Sequence, residues 1–121
     1  MKFKSDRERD EFDRAPVILK LVANEFESLS KRFGIEPTIT RILSPVSGES
    51  GVHQDYRAID FRDYCDGKHT YTMDERIAIV AMINALYPRN DGFKVAIHHK
   101  IEGSVDHFHL QIPVNVKSLS K

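Results

Sequence analysis

Val105-Asp106-His107-Phe108-His109-Leu110-Gln111-Ile112-Pro113 alternates in character along its length. In an extended chain Phe108, Leu110 and Ile112 point one way and His107, His109 and Gln111 the other, because successive side chains of a strand leave opposite faces of the sheet. An apolar sheet face has to be covered by another layer, so this strand predicts a sheet with helices packed against it. The sequence supplies them. Pro16 suits the first turn of a helix, and behind it Ile18, Leu21, Val22, Phe26, Leu29 and Phe33 recur at helical spacing. Gly34 fits a left-handed C-terminal cap. Thr72 and Glu75 form a capping box that opens a second helix. Its inward stripe is expected at Ile77, Val80, Ala81, Asn84 and Ala85, and Pro88 stops it. Thr38 to Leu43, Tyr56 to Arg62 and Phe93 to Lys100 read as further strands. In the second of these, Arg57, Ile59 and Phe61 share one side, and Ala58 and Asp60 the other.

The resulting order of helix, strand, strand, helix, strand, strand predicts an α+β fold with an antiparallel sheet and flanking helices, in a single domain over residues 1–121. Residues 1–14 mix charges of both signs and are expected to form a solvated, frayed helical lead-in. The segment Ser44 to Gly51 is loop-like in composition but too short to separate domains.

Composition narrows the classes of function. The chain of 121 residues is long enough for one core without staples, since such a chain buries roughly two-thirds of its unfolded surface. Eighteen basic side chains balance eighteen acidic ones, so the formal net charge is zero. That balance argues against bulk electrostatic binding to nucleic acid or to an anionic membrane. Cys65 is the single cysteine, which excludes an internal disulfide and a multi-cysteine zinc knuckle. No apolar run approaches the ~18–20 residues of a membrane span, and the charged N-terminus does not read as a signal peptide. The expectation is a monomeric domain made in the reducing cytoplasm.

The chemistry lies in the histidines and one aspartate. Six histidines occur, and His98, His99, His107 and His109 fall in the last quarter of the chain. His107 and His109 share a strand face. Asp60 projects from another strand with only the small Ala58 beside it on its face, which leaves room above the sheet. Two imidazoles and a carboxylate on one side of a sheet suit a metal, and catalytic zinc uses such sets while keeping a position for water. The bland alternative pairs Asp60 with Arg57 or Arg62 and turns His107 and His109 toward water. Cys65 reads as an ordinary half-buried thiol and His69 as solvent-exposed. Of the neighbours His98 and His99, His98 is expected to approach the cleft.

The run Ser50-Gly51-Val52-His53-Gln54-Asp55-Tyr56-Arg57-Ala58-Ile59-Asp60 resembles the Ser-x-His-x-x-Gly-Arg-Ala-x-Asp signature of the D-alanyl-D-alanine metallopeptidases. Asp106-His107-Phe108-His109 resembles that family's closing segment, in which an acidic residue stands three positions before the last zinc-binding histidine. The resemblance covers roughly residues 38–113. It implies the fold shared by these peptidases and the hedgehog signalling domain. It also implies a Zn2+ ion held by His53, Asp60 and His109, with Asp106 as general base and His107 as a hydrogen-bond donor near the scissile carbonyl. Arg41 would steady substrate, and Ser50 and Arg57 would line the cleft. Two departures bear on the substrate: Gly51 stands where the family has its serine, with Ser50 one place earlier, and Tyr56 replaces the family's glycine. The implied activity is hydrolysis of peptidoglycan stem-peptide bonds, of the D-Ala-D-Ala carboxypeptidase type or of the L-Ala-D-Glu type cut by phage endolysins. A wall-cutting enzyme without an export signal fits a phage product, released at lysis or carried in a virion. The rival readings are a non-catalytic zinc-binding domain of the same fold, serving partner or cell-wall binding, and a metal-free interaction protein.

Overall fold

The apolar face of the last strand is buried as its alternation requires. In the computed structural model, which describes residues 1–42, 57–99 and 107–113, Phe108 and Leu110 are fully buried. They belong to strand β7 (His107–Gln111), which lies between β3 (Ala58–Arg62) and β6 (Ala96–His99). The sheet continues from β3 to β2 (Thr38–Arg41) and then to β1 (Lys2–Phe3), giving the order β1-β2-β3-β7-β6. The β2–β3, β3–β7 and β7–β6 pairs are antiparallel, whereas β1 runs parallel to β2. The sheet is therefore mixed, not wholly antiparallel as expected, while the α+β class stands.

The difference arises in the charged lead-in. Lys2 N–H donates to the Pro37 carbonyl and Lys4 N–H to that of Ile39, each at 2.8 Å, so the first residues extend the sheet edge. Helix α1 (Asp6–Asp13) follows, and Glu8 and Glu11 on it are buried. Ser5 Oγ donates to Glu8 at 2.5 Å and Arg7 pairs with Glu11 at 3.1 Å. The mixed charges thus pair locally and let this segment dock, where a frayed, solvated helix was expected.

Helix α2 (Val17–Arg32) buries Leu19, Val22, Ala23, Phe26 and Leu29 against the sheet. Its Phe26 ring stacks on Phe61 at 4.2 Å between centroids and meets the edge of Phe108 at 4.9 Å. Such aromatic pairs add about 0.5–1.5 kcal/mol each beyond the area they bury. Leu21 and Phe33, expected on the inward stripe, are exposed. The helix ends as anticipated: Gly34 takes φ 76°. Its N–H reaches the Lys31 carbonyl, and Ile35 N–H reaches that of Ser30, both orphan acceptors of the last turn.

Helix α3 (Met73–Leu86) opens on the expected capping box, with Glu75 N–H donating to Thr72 Oγ1 at 3.2 Å and Thr72 N–H to Glu75 Oε1 at 2.8 Å. Its inward face, however, carries Ile79 and Ile83; Ile77 is 60% exposed, and Ala81 and Ala85 are also outside. Apolar residues occur nearly all round this helix, so periodicity alone does not choose its rotation. Asn84 does: its amide donates to the Ala96 carbonyl at 2.9 Å and accepts from Ala96 N–H at 2.8 Å, pairing with edge strand β6 as another strand would. Between β3 and α3 a small hairpin of β4 (Tyr64–Cys65) and β5 (Lys68–His69) turns on Asp66 and Gly67, both at positive φ. Among the described residues no helix is long and apolar enough to cross a membrane.

Candidate metal centre

The antiparallel register of β3 and β7 sets Asp60 directly opposite His109 and Arg62 opposite His107. Alternation then puts His107 and His109 on the face away from Phe108, and Asp60 joins them there. His109 Nδ1 lies 2.9 Å from Asp60 Oδ1, and His107 Nε2 lies 3.7 Å from Asp60 Oδ2. One candidate ligand atom from each of the three falls within 4.8 Å of the others. Asp60 is 4% exposed, His107 8% and His109 7%, so the face does not look into water as the bland reading had it. The arginine beside Asp60 is Arg41 on β2, with Nε at 3.4 Å from Oδ2, where Arg57 or Arg62 was the alternative expectation. A buried carboxylate needs such compensation, because desolvating an ionised group without a partner is costly.

The hydrogen bonding of His109 tests whether the group suits a cation. Its Nε2 lies 3.2 Å from Gln111 Oε1 while Nδ1 faces the Asp60 carboxylate. Both ring nitrogens thus face oxygen acceptors, yet a neutral imidazole carries one N–H. The Asp60 side requires either a second proton or a metal ion in its place. Two imidazoles and a carboxylate, buried and convergent, form a donor set that zinc accepts. The residues fit.

The positions of the expected site residues can now be compared. Asp60, His107 and His109 come together, with Arg41 against Asp60. Arg57 donates to the Ile112 carbonyl at 3.4 Å, tying the start of β3 to the end of β7. His53, Ser50 and Asp106 lie outside the described residues. The expectation that His98 approaches the cleft is not met. His98 sits opposite Phe108 in the register, its ring packs edge-on against that phenylalanine at 4.8 Å, and it belongs to the core side; His99 takes the position opposite His107. Strand parity was read there without a partner strand, and a one-residue error flips every side chain to the other face.

On that core side a second polar group was not foreseen. Asp63, fully buried just beyond β3, accepts from Tyr71 N–H at 3.0 Å. His98 Nε2 at 2.7 Å, His69 Nδ1 at 2.9 Å and Arg76 Nε at 3.0 Å surround its Oδ2. His69, expected to be idle in solvent, is therefore part of a junction joining β3, β5, β6 and α3. Burial alone would push the Asp63 carboxyl up. The Tyr71 amide, the two histidines and the Arg76 charge outweigh it and hold the carboxyl below its ordinary value. The sequence signal was an aspartate ending an apolar strand, a place where a carboxylate is either solvated or fully paired.

Comparison with protein-family models, with curated proteins and with solved structures returned no match.

Proposed function

We propose that the chain is a zinc-dependent peptidase domain of the D-alanyl-D-alanine metallopeptidase type, with the fold those enzymes share with hedgehog domains, acting on peptidoglycan stem peptides. The observation that carries the reading is the buried convergence of Asp60, His107 and His109 from two paired strands. The resemblance gives Asp60 and His109 as ligands, and this geometry supports both. The third donor is where the two differ: the resemblance gives His53, and the geometry offers His107.

Bound zinc supplies Lewis-acid polarisation of the scissile carbonyl and a water of lowered pKa. The chain's own residues do the rest. Asp106, three positions before His109, accepts the proton and returns it to the leaving amine. His107, where it is not a ligand, donates a hydrogen bond to the developing oxyanion. Arg41 holds Asp60 on one side and presents positive charge beside the site for a substrate carboxylate. The resemblance assigns Ser50 and Arg57 to the lining of the substrate cleft.

Elemental analysis of the purified protein, together with mass spectrometry of fragments released from peptidoglycan, tests this reading. One zinc per chain with cleavage at a stem-peptide bond supports it. Zinc without cleavage of any peptidoglycan leaves a non-catalytic zinc domain, and a metal-free protein that cannot be loaded overturns the site.

A further inference from the structure

Gln111 stands two residues beyond His109 on β7 and shares its face. Its backbone is pinned by the bond from its N–H to the Val95 carbonyl at 2.8 Å. Its side-chain Nε2 donates to the Lys94 carbonyl at 3.0 Å. A carbonyl can only accept, so this bond decides which end of the amide carries the hydrogens. The amide oxygen is then the atom that faces His109 Nε2 at 3.2 Å, and it too can only accept. His109 Nε2 therefore carries a proton, which leaves Nδ1 as the nitrogen open to a metal ion. Its other nitrogen, Nδ1, is the one directed into the group formed with Asp60 and His107.

We propose that Gln111 is a positioning residue that locks the His109 ring and its Nε2–H tautomer, so that His109 meets a divalent metal through Nδ1. The proposal deepens the zinc reading and rests on Asp60 and His109 being ligands. The lock is a relay across the sheet, from the Lys94 carbonyl before β6, through Gln111 and His109 on β7, to Asp60 on β3 and Arg41 on β2. Outer partners of this kind orient a ligating imidazole and raise its basicity, and their loss typically costs 10–100-fold in metal affinity.

Long-range proton–nitrogen NMR on the full chain, without metal at pH 8 and again after adding Zn2+, reads the tautomer directly. The expected result is an Nε2–H signal for His109 in both states, with the Nδ1 resonance shifted on zinc addition. Absence of the Nε2–H signal in either state, or an Nδ1–H that persists with zinc bound, overturns the proposal. Zinc titration against a competing chelator gives the second readout. Gln111→Leu should bind zinc about 10–100-fold more weakly, and Gln111→Glu, which still accepts from Nε2–H, should stay much closer to the parent. Unchanged affinity in a folded Gln111→Leu protein overturns the proposal. If that variant fails to fold, the tautomer in the parent decides. If the parent takes up no zinc, the ligand reading falls, while the metal-free tautomer still decides what Gln111 does.

Discussion

His109 Nδ1 and Asp60 Oδ1 lie 2.9 Å apart at directly paired positions of two antiparallel strands. Opposite positions on neighbouring strands are the closest that a sheet offers to side chains from distant parts of the chain. Their separation is therefore held by the backbone ladder rather than by loops, which preorganises them as a candidate ligand pair.

The ligand assignment is tested by metal content. His109→Ala and Asp60→Asn should each lose most of the zinc, with a drop in melting temperature of the zinc-loaded form because binding energy adds to folding energy. His53→Ala and His107→Ala separate the two candidates for the third donor, since the true ligand's variant loses zinc and the other keeps it. Full-occupancy zinc in His109→Ala would remove that residue from the site.

Asp106→Asn should retain zinc and thermal stability and lose about 10²–10⁴-fold in hydrolysis, because asparagine keeps the shape but cannot take the proton. Asp106→Glu should keep measurable turnover. If instead Glu102→Gln is the inactive variant and Asp106→Asn works normally, the base belongs to Glu102.

The Asp63 junction predicts an acid-sensitive fold. Its carboxyl titrates lower in the folded chain than the ordinary value of about 3.9, so its stabilising contribution is complete above that value. The contribution is lost as pH falls through the folded value. Urea unfolding followed from pH 6 down to pH 2 should show this slope in the parent and a shallower one in Asp63→Asn. Asp63→Ala strands Arg76 and two histidines and should cost about 3–5 kcal/mol at pH 7. A loss below 1 kcal/mol would mean that the junction is dispensable.

Tyr71 titrates at the other end of the scale. Burial, opposed by the hydrogen bond with Ser30 and aided by the charges of Asp63 and Glu75, pushes its phenol up to about 12. The raised value means that its contribution is intact below the ordinary pKa of about 10 and fades as pH rises toward 12. An ultraviolet titration should show one tyrosine ionising last, and that step should vanish in Tyr71→Phe.

The rotation of α3 is checked by a pair of substitutions. Ile79→Ala should destabilise by about 2–5 kcal/mol, as truncation of a buried aliphatic residue does. Ile77→Ala, on the exposed side, should change stability by less than about 0.5 kcal/mol in either direction. Equal losses would show that the two isoleucines are equally buried.

The sequence by itself determined the elements whose signals are local: the alternating strand at Phe108 and Leu110, the Thr72–Glu75 box, the Gly34 cap, and the common face of His107 and His109. These depend on periods and hydrogen bonds that span a few residues, so no partner is needed to read them. Asp60 was also legible as a candidate, from its strand parity beside Ala58. Only the tertiary structure decided that Asp60 lies opposite His109, that Arg41 is its cation, and that Gln111 braces His109 from behind, because strand register is a property of two segments almost fifty residues apart. The same reason explains what was misplaced. Which face of α3 turns inward is chosen by Asn84 meeting Ala96, and His98 falls on the Phe108 side because of where β6 pairs with β7. The parallel edge strand at Lys2 and Phe3 was hidden because two residues carry no period at all. It exists because β2 offers them a ladder of unpaired backbone groups to join.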